Sequence, residues 1–68
     1  MSRVVYPNLE AERGRLGMSK SEFSKMIGVT RVTYANWQSG KTPMPLKVAV
    51  DLSKVLHVSI NYLIGLEG

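Results

Sequence analysis

Residues 18–40, Met-Ser-Lys-Ser-Glu-Phe-Ser-Lys-Met-Ile-Gly-Val-Thr-Arg-Val-Thr-Tyr-Ala-Asn-Trp-Gln-Ser-Gly, constrain the fold more than any other part of the chain. Ser19 followed three residues later by Glu22 is a capping-box pattern, in which each side chain satisfies a backbone amide of the other residue. Phe23, Met26 and Ile27 recur at helical spacing and are expected to turn inward. Gly28 ends this helix, because glycine takes the left-handed closing conformation without a Cβ penalty. Thr30 then caps a second helix. So short a connection makes the two helices meet at a sharp angle, and the second carries a bare outer face.

The rest of the chain also reads as helical, with no linker, repeat or low-complexity segment. Asn8 is expected to cap a first helix in which Leu9, Arg13 and Leu16 recur at helical spacing, ended by Gly17. Gly14 inside it costs roughly 1 kcal/mol relative to alanine. Pro43 and Pro45 push the residues before them toward extended conformations, so residues 40–45 form a loop and Pro45 starts the next helix. There Leu46, Ala49, Val50, Leu52, Ser53 and Leu56 form an expected inward stripe. A last short helix is capped by Ser59 and ended by Gly65. The expectation is a single all-α domain over residues 1–68, a compact five-helix bundle with a helix-turn-helix core at about residues 19–38.

Sixty-eight residues leave little room for a buried cleft, since a core of this size only just offsets the entropy of ordering the chain. With no cysteine there is neither a disulfide framework nor a thiolate zinc site, which favours a cytoplasmic protein. The N-terminal residues contain no long apolar stretch before a small-residue cleavage site, and no segment approaches the roughly 20 apolar residues of a membrane span.

The net charge is +4, and its placement says more than its size. Between residues 13 and 41, Arg13, Arg15, Lys20, Lys25, Arg31 and Lys41 face only Glu22, whereas residues 42–68 balance Lys47 and Lys54 against Asp51 and Glu67. Positive charge therefore travels with the paired helices, the electrostatic footprint of a phosphate-facing surface.

Four segments carry a family resemblance: Gly17-Met18-Ser19-Lys20, Ile27-Gly28-Val29-Thr30, Trp37-Gln38-Ser39-Gly40-Lys41, and Val58-Ser59-Ile60-Asn61-Tyr62-Leu63-Ile64-Gly65. In this order and spacing the chain resembles the lambda-repressor-like, Cro/C1-type helix-turn-helix proteins of the XRE family, along nearly its whole length. The resemblance implies the five-helix fold and binding of double-stranded DNA, with the second helix of the motif in the major groove.

At about 100° per residue, Tyr34 and Trp37 project to one side of that helix with Thr33 near them, while Arg31, Val32, Ala35 and Asn36 project to the other. The aromatic pair is read as core. The outer four are the candidate base contacts. Arg31 can donate two parallel hydrogen bonds to guanine, and Val32 and Ala35 suit thymine methyl groups. Asn36 suits adenine or a phosphate.

Candidate DNA-backbone contacts are Ser19 and Lys20 at a helix N-terminus, Thr30 and Thr33, and Ser39, Gly40, Lys41 and Thr42. The resemblance places a phosphate at Ser19 and Lys20, and assigns phosphate contacts to both main-chain amides and side chains of the 39–42 loop. Lys20 stands where the family usually has glutamine, so it meets a phosphate as a point charge without glutamine's ability to brace a neighbour. Gln38 stands where the family commonly has a glutamate paired to the arginine at Arg13, leaving Arg13 to Glu12, Glu22 or solvent. Ile60, Leu63, Ile64 and Leu66 offer more apolar surface than a one-turn helix easily buries, and the resembled family commonly dimerises through this region. They are the candidate dimer interface.

No constellation suggests an enzyme, a metal or a cofactor. His57 is the only histidine, it sits at a helix end, and the carboxylates are scattered. The resulting expectation is a sequence-specific regulator of transcription, a repressor bound as a homodimer, at least on DNA, to an operator with two half-sites. No membrane or small-molecule partner is apparent. The alternative is a protein-interaction module, such as an antitoxin or adaptor, built on the same fold.

Overall fold

The computed structural model describes residues 4–66, which form five helices: α1 Pro7–Arg15, α2 Lys20–Ile27, α3 Arg31–Ser39, α4 Leu46–Leu56 and α5 Ile60–Leu63. Three of the starts are closed by side chains. The Ser19 hydroxyl accepts from the Glu22 amide at 3.1 Å while the Glu22 carboxylate accepts from the Ser19 amide at 2.9 Å, completing the expected capping box. Thr30 caps α3 through the Thr33 amide, and Ser59 caps α5 through the Tyr62 amide. Gly28 closes α2 at φ 91°, where its amide reaches back to the Ser24 and Lys25 carbonyls.

The start of α1 differs from the expectation. Pro7 opens the helix, since its locked φ suits the first turn and its missing donor is one a helix start leaves unpaired. Asn8 is therefore inside the helix, and its Nδ2 donates to the Tyr62 carbonyl at 2.8 Å, tying α1 to α5. Leu16 falls beyond the last helical turn and is exposed, so the buried face of α1 is Leu9 and Glu12.

The core comprises Leu9, Phe23, Tyr34, Trp37, Met44, Ala49, Leu52, Leu56 and Leu63. Phe23 stands edge-on to Tyr34 with ring centroids 5.7 Å apart, and Tyr34 meets Trp37 at 6.4 Å. This aromatic stack joins α2 to α3 and sets their crossing. Two positions on the expected stripes face solvent instead. Leu46, at the first turn of α4, is 69% exposed while Met44 from the preceding loop fills the core, and Met26 lies at the rim. His57 closes α4 in the left-handed conformation, φ 57° and ψ 43°, a conformation that a residue with a Cβ rarely adopts.

Candidate nucleic-acid interface

The buried aromatics of α3 determine what the helix presents outward. With Tyr34 and Trp37 fixed in the core, Arg31, Val32 and Ala35 are exposed, Val32 at 68%. A β-branched apolar side chain so open to water contributes nothing to this core, and its exposure makes it available to a ligand surface. Asn36 lies at the edge of this face and is half-buried. Its carbonyl is crowded, accepting from the Ser39 hydroxyl and from the amides of Lys41 and Thr42.

Lys20 from α2 and Arg31 and Ala35 from α3 line one cleft of about 290 Å³, floored by Tyr34 and Gln38. One candidate backbone contact and two candidate base contacts, from different helices, are thus brought to one place. Among the described residues the ion pairs are Arg13 with Glu10 and Arg15 with Glu12, the latter at 2.7 Å. These neutralise the charges of α1. Lys20, Lys25, Arg31 and Lys41 keep theirs, so the positive field concentrates on the paired helices and the loop after them.

The carboxylate beside the cleft is Glu10, which was expected neither as Arg13's partner nor in this position. Burial pushes its carboxyl up, but hydrogen bonds from Arg13 and Tyr34 and the nearby Arg13 and Lys20 charges outweigh that and hold it below the usual carboxylate range. Arg13 also donates to the Met18 carbonyl at 2.6 Å, pinning the α1–α2 connection. Glu12 and Glu22 are both engaged elsewhere, with Arg15 and with Ser19.

Gln38, at the position where the family commonly has a glutamate, is buried. Its Nε2 donates to the Tyr6 carbonyl at 3.1 Å and to the Tyr34 hydroxyl at 3.2 Å, and its Oε1 accepts from the Tyr6 amide at 2.8 Å. Tyr6 carries no local pattern that marks this pairing, although an aromatic residue just before a helix-opening proline is the available signal.

The remaining candidates divide by which groups stay free. Thr30 and Thr33 are bonded to each other through their hydroxyl oxygens at 3.0 Å. In the 39–42 loop the amide of Gly40 donates to the Trp37 carbonyl, and those of Lys41 and Thr42 donate to the Asn36 carbonyl. These main-chain amides close α3, so Gly40 has no donor left for a phosphate, contrary to the expectation. The exposed side chains of Ser39, Lys41 and Thr42 are what this segment offers. Toward the C-terminus, Leu63 is 0% exposed, held in the core by the short α5, which removes it from the expected dimer surface. Ile64 and Leu66 are exposed and Ile60 is half-buried.

The sequence model of a helix-turn-helix family matches residues 9–63, which span all but the first residues of α1 and the chain ends. The chain belongs to this helix-turn-helix family. No curated protein and no solved structure matches it. As a helix-turn-helix protein it falls in a class of DNA-binding regulators, and α2 and α3 are the helices of the motif. None of its helices, among the described residues, is long and apolar enough to cross a membrane.

Proposed function

We propose that this helix-turn-helix protein is a cytoplasmic, sequence-specific repressor that binds double-stranded DNA as a two-fold dimer and reads two half-sites with α3. The observation that carries the reading is the exposed Arg31, Val32 and Ala35 face, braced from behind by Tyr34 and Trp37 and flanked by the unpaired Lys20 and Lys41. Arg31 is the guanine reader, with Val32 and Ala35 against thymine methyls and Asn36 at the edge of the contact. Ser19, Lys20, Thr30, Thr33, Ser39, Lys41 and Thr42 hold the phosphates, which orients the protein without reading sequence. Repression follows from occupancy, because a bound operator is closed to other proteins. Catalysis plays no part in this reading.

Ile60, Ile64 and Leu66 form the dimer contact. A two-fold pair presents its recognition helices to successive major grooves, so half-sites lie about 34 to 36 Å apart, or roughly 10 to 10.5 base pairs centre to centre.

Selection of binding sites from a random duplex pool tests the whole reading. Enrichment of a paired motif at that spacing supports it, and a pool that remains unenriched while the protein binds other proteins favours an interaction module instead. Inserting five base pairs between the half-sites turns one to the opposite face of the duplex, and Ile64→Asp removes apolar surface from the pairing face. Binding that ignores both changes overturns the dimer and leaves DNA recognition standing.

A further inference from the structure

The loop between α3 and α4 begins after Ser39 and returns to the core at Met44, and one residue far away in sequence grips Gln38 on one side of it and Met44 on the other. The backbone of Tyr6 pairs in both directions with the Gln38 side chain, its amide donating at 2.8 Å and its carbonyl accepting at 3.1 Å. Its phenolic oxygen accepts from the Met44 backbone amide at 2.9 Å. The neighbouring Val5 amide donates to the Gln38 carbonyl at 2.9 Å, and Val5 Cγ2 sits 3.2 Å from where a Cβ on Gly40 would be. Between these anchors lie Lys41 and Thr42, whose side chains are exposed.

We propose that Tyr6 is a positioning residue for nucleic-acid binding, holding the 39–42 loop in its binding geometry before DNA arrives. The proposal rests on the duplex-binding reading above. A loop tied at both ends gives up less conformational freedom when its side chains close on a phosphate, and the affinity saved in this way is the clamp's contribution. The amides inside the loop are already turned back onto α3, so the clamp acts through where it places the Lys41 and Thr42 side chains.

The test compares full-length wild type with Tyr6→Phe, which removes only the oxygen that holds Met44. Binding to a mixed-sequence duplex at low salt is measured for both, and repeated in a Lys41→Ala/Thr42→Ala background. Thermal unfolding of each variant sets a temperature at which all are folded. Tyr6→Phe is expected to weaken binding about two- to twelvefold, the factor set by one hydrogen bond of ordinary net strength. In the background lacking both loop side chains the same substitution is expected to change binding by less than about twofold. An equal weakening in both backgrounds, or none in either, overturns the clamp while duplex binding stands. Wild type that fails to bind any duplex overturns the duplex reading and the clamp with it.

Discussion

The hydroxyl of Tyr34 donates to Glu10 Oε2 at 2.8 Å, linking α3 to α1 at the cleft that Lys20, Arg31 and Ala35 line. Burial pushes the Tyr34 phenol up to about 12, so at neutral pH it stays a neutral donor to an ionised carboxylate. Glu10 in turn is held ionised by Arg13 and by Tyr34. The two residues support each other's protonation state.

Stability should therefore fall in acid. Glu10 has a folded pKa below its ordinary value of 4.5, so the unfolded chain takes up the proton first as pH drops. The stabilisation is fully present above that ordinary value and is lost as pH falls through the folded pKa. Glu22, lowered by its bond to the Ser19 amide, acts in the same direction. Thermal unfolding followed from about pH 6 down to about pH 2.5 should show a falling Tm below about pH 4. Glu10→Gln should lower Tm at neutral pH and make the acid limb shallower, and an unchanged limb would remove Glu10 from this account.

Gln38→Leu should destabilise the fold by about 2 to 4 kcal/mol, because it takes the partner from the half-buried Tyr6 amide and carbonyl and from the buried Tyr34 hydroxyl. Urea unfolding measures the change. A loss under about 0.5 kcal/mol would mean that water replaces the side chain at no cost.

His57→Gly should stabilise the fold by about 0.5 to 1 kcal/mol. The left-handed residue closing α4 carries a Cβ strain of about 1 to 2 kcal/mol, partly offset by glycine's greater freedom in the unfolded chain. His57→Val should move stability the other way. Denaturant midpoints of the three proteins must rank Gly above His above Val.

Arg31→Ala should leave the fold intact and reduce discrimination at one base pair by roughly 1 to 3 kcal/mol. Competition between operator and single-base variants reads this directly. An equal drop for operator and random duplex would reassign Arg31 to a phosphate.

Lys20→Ala and Lys41→Ala should each weaken specific and random binding together, with the log-log salt slope falling by up to about one unit for each phosphate that is no longer neutralised. Titrations at several salt concentrations give the slope. Since the Lys41 amide is bonded to the Asn36 carbonyl, an unchanged slope for Lys41→Ala would take this residue out of the interface altogether.

What the sequence by itself determined was local. The Ser19–Glu22 box, the Gly28 closure, the Thr30 and Ser59 caps and the inward Tyr34 and Trp37 all depend on residues within a turn or so of one another, where spacing and backbone preference suffice. The exposed Arg31, Val32 and Ala35 follow from that same periodicity. Tertiary structure decided the rest, because it turns on which distant groups share a small space. Gln38 takes Tyr6 across 32 positions, a pairing no local pattern encodes, whereas the Glu10–Arg13 pair is a local one, three residues apart on α1. Leu63 is drawn into the core although apolar residues on a one-turn helix look alike in sequence, and Met44 displaces Leu46 because the loop, rather than the helix start, reaches the core. The amides of the 39–42 loop could have faced a phosphate or α3. The left-handed turn at Gly40 sends them to α3 and leaves the Lys41 and Thr42 side chains exposed.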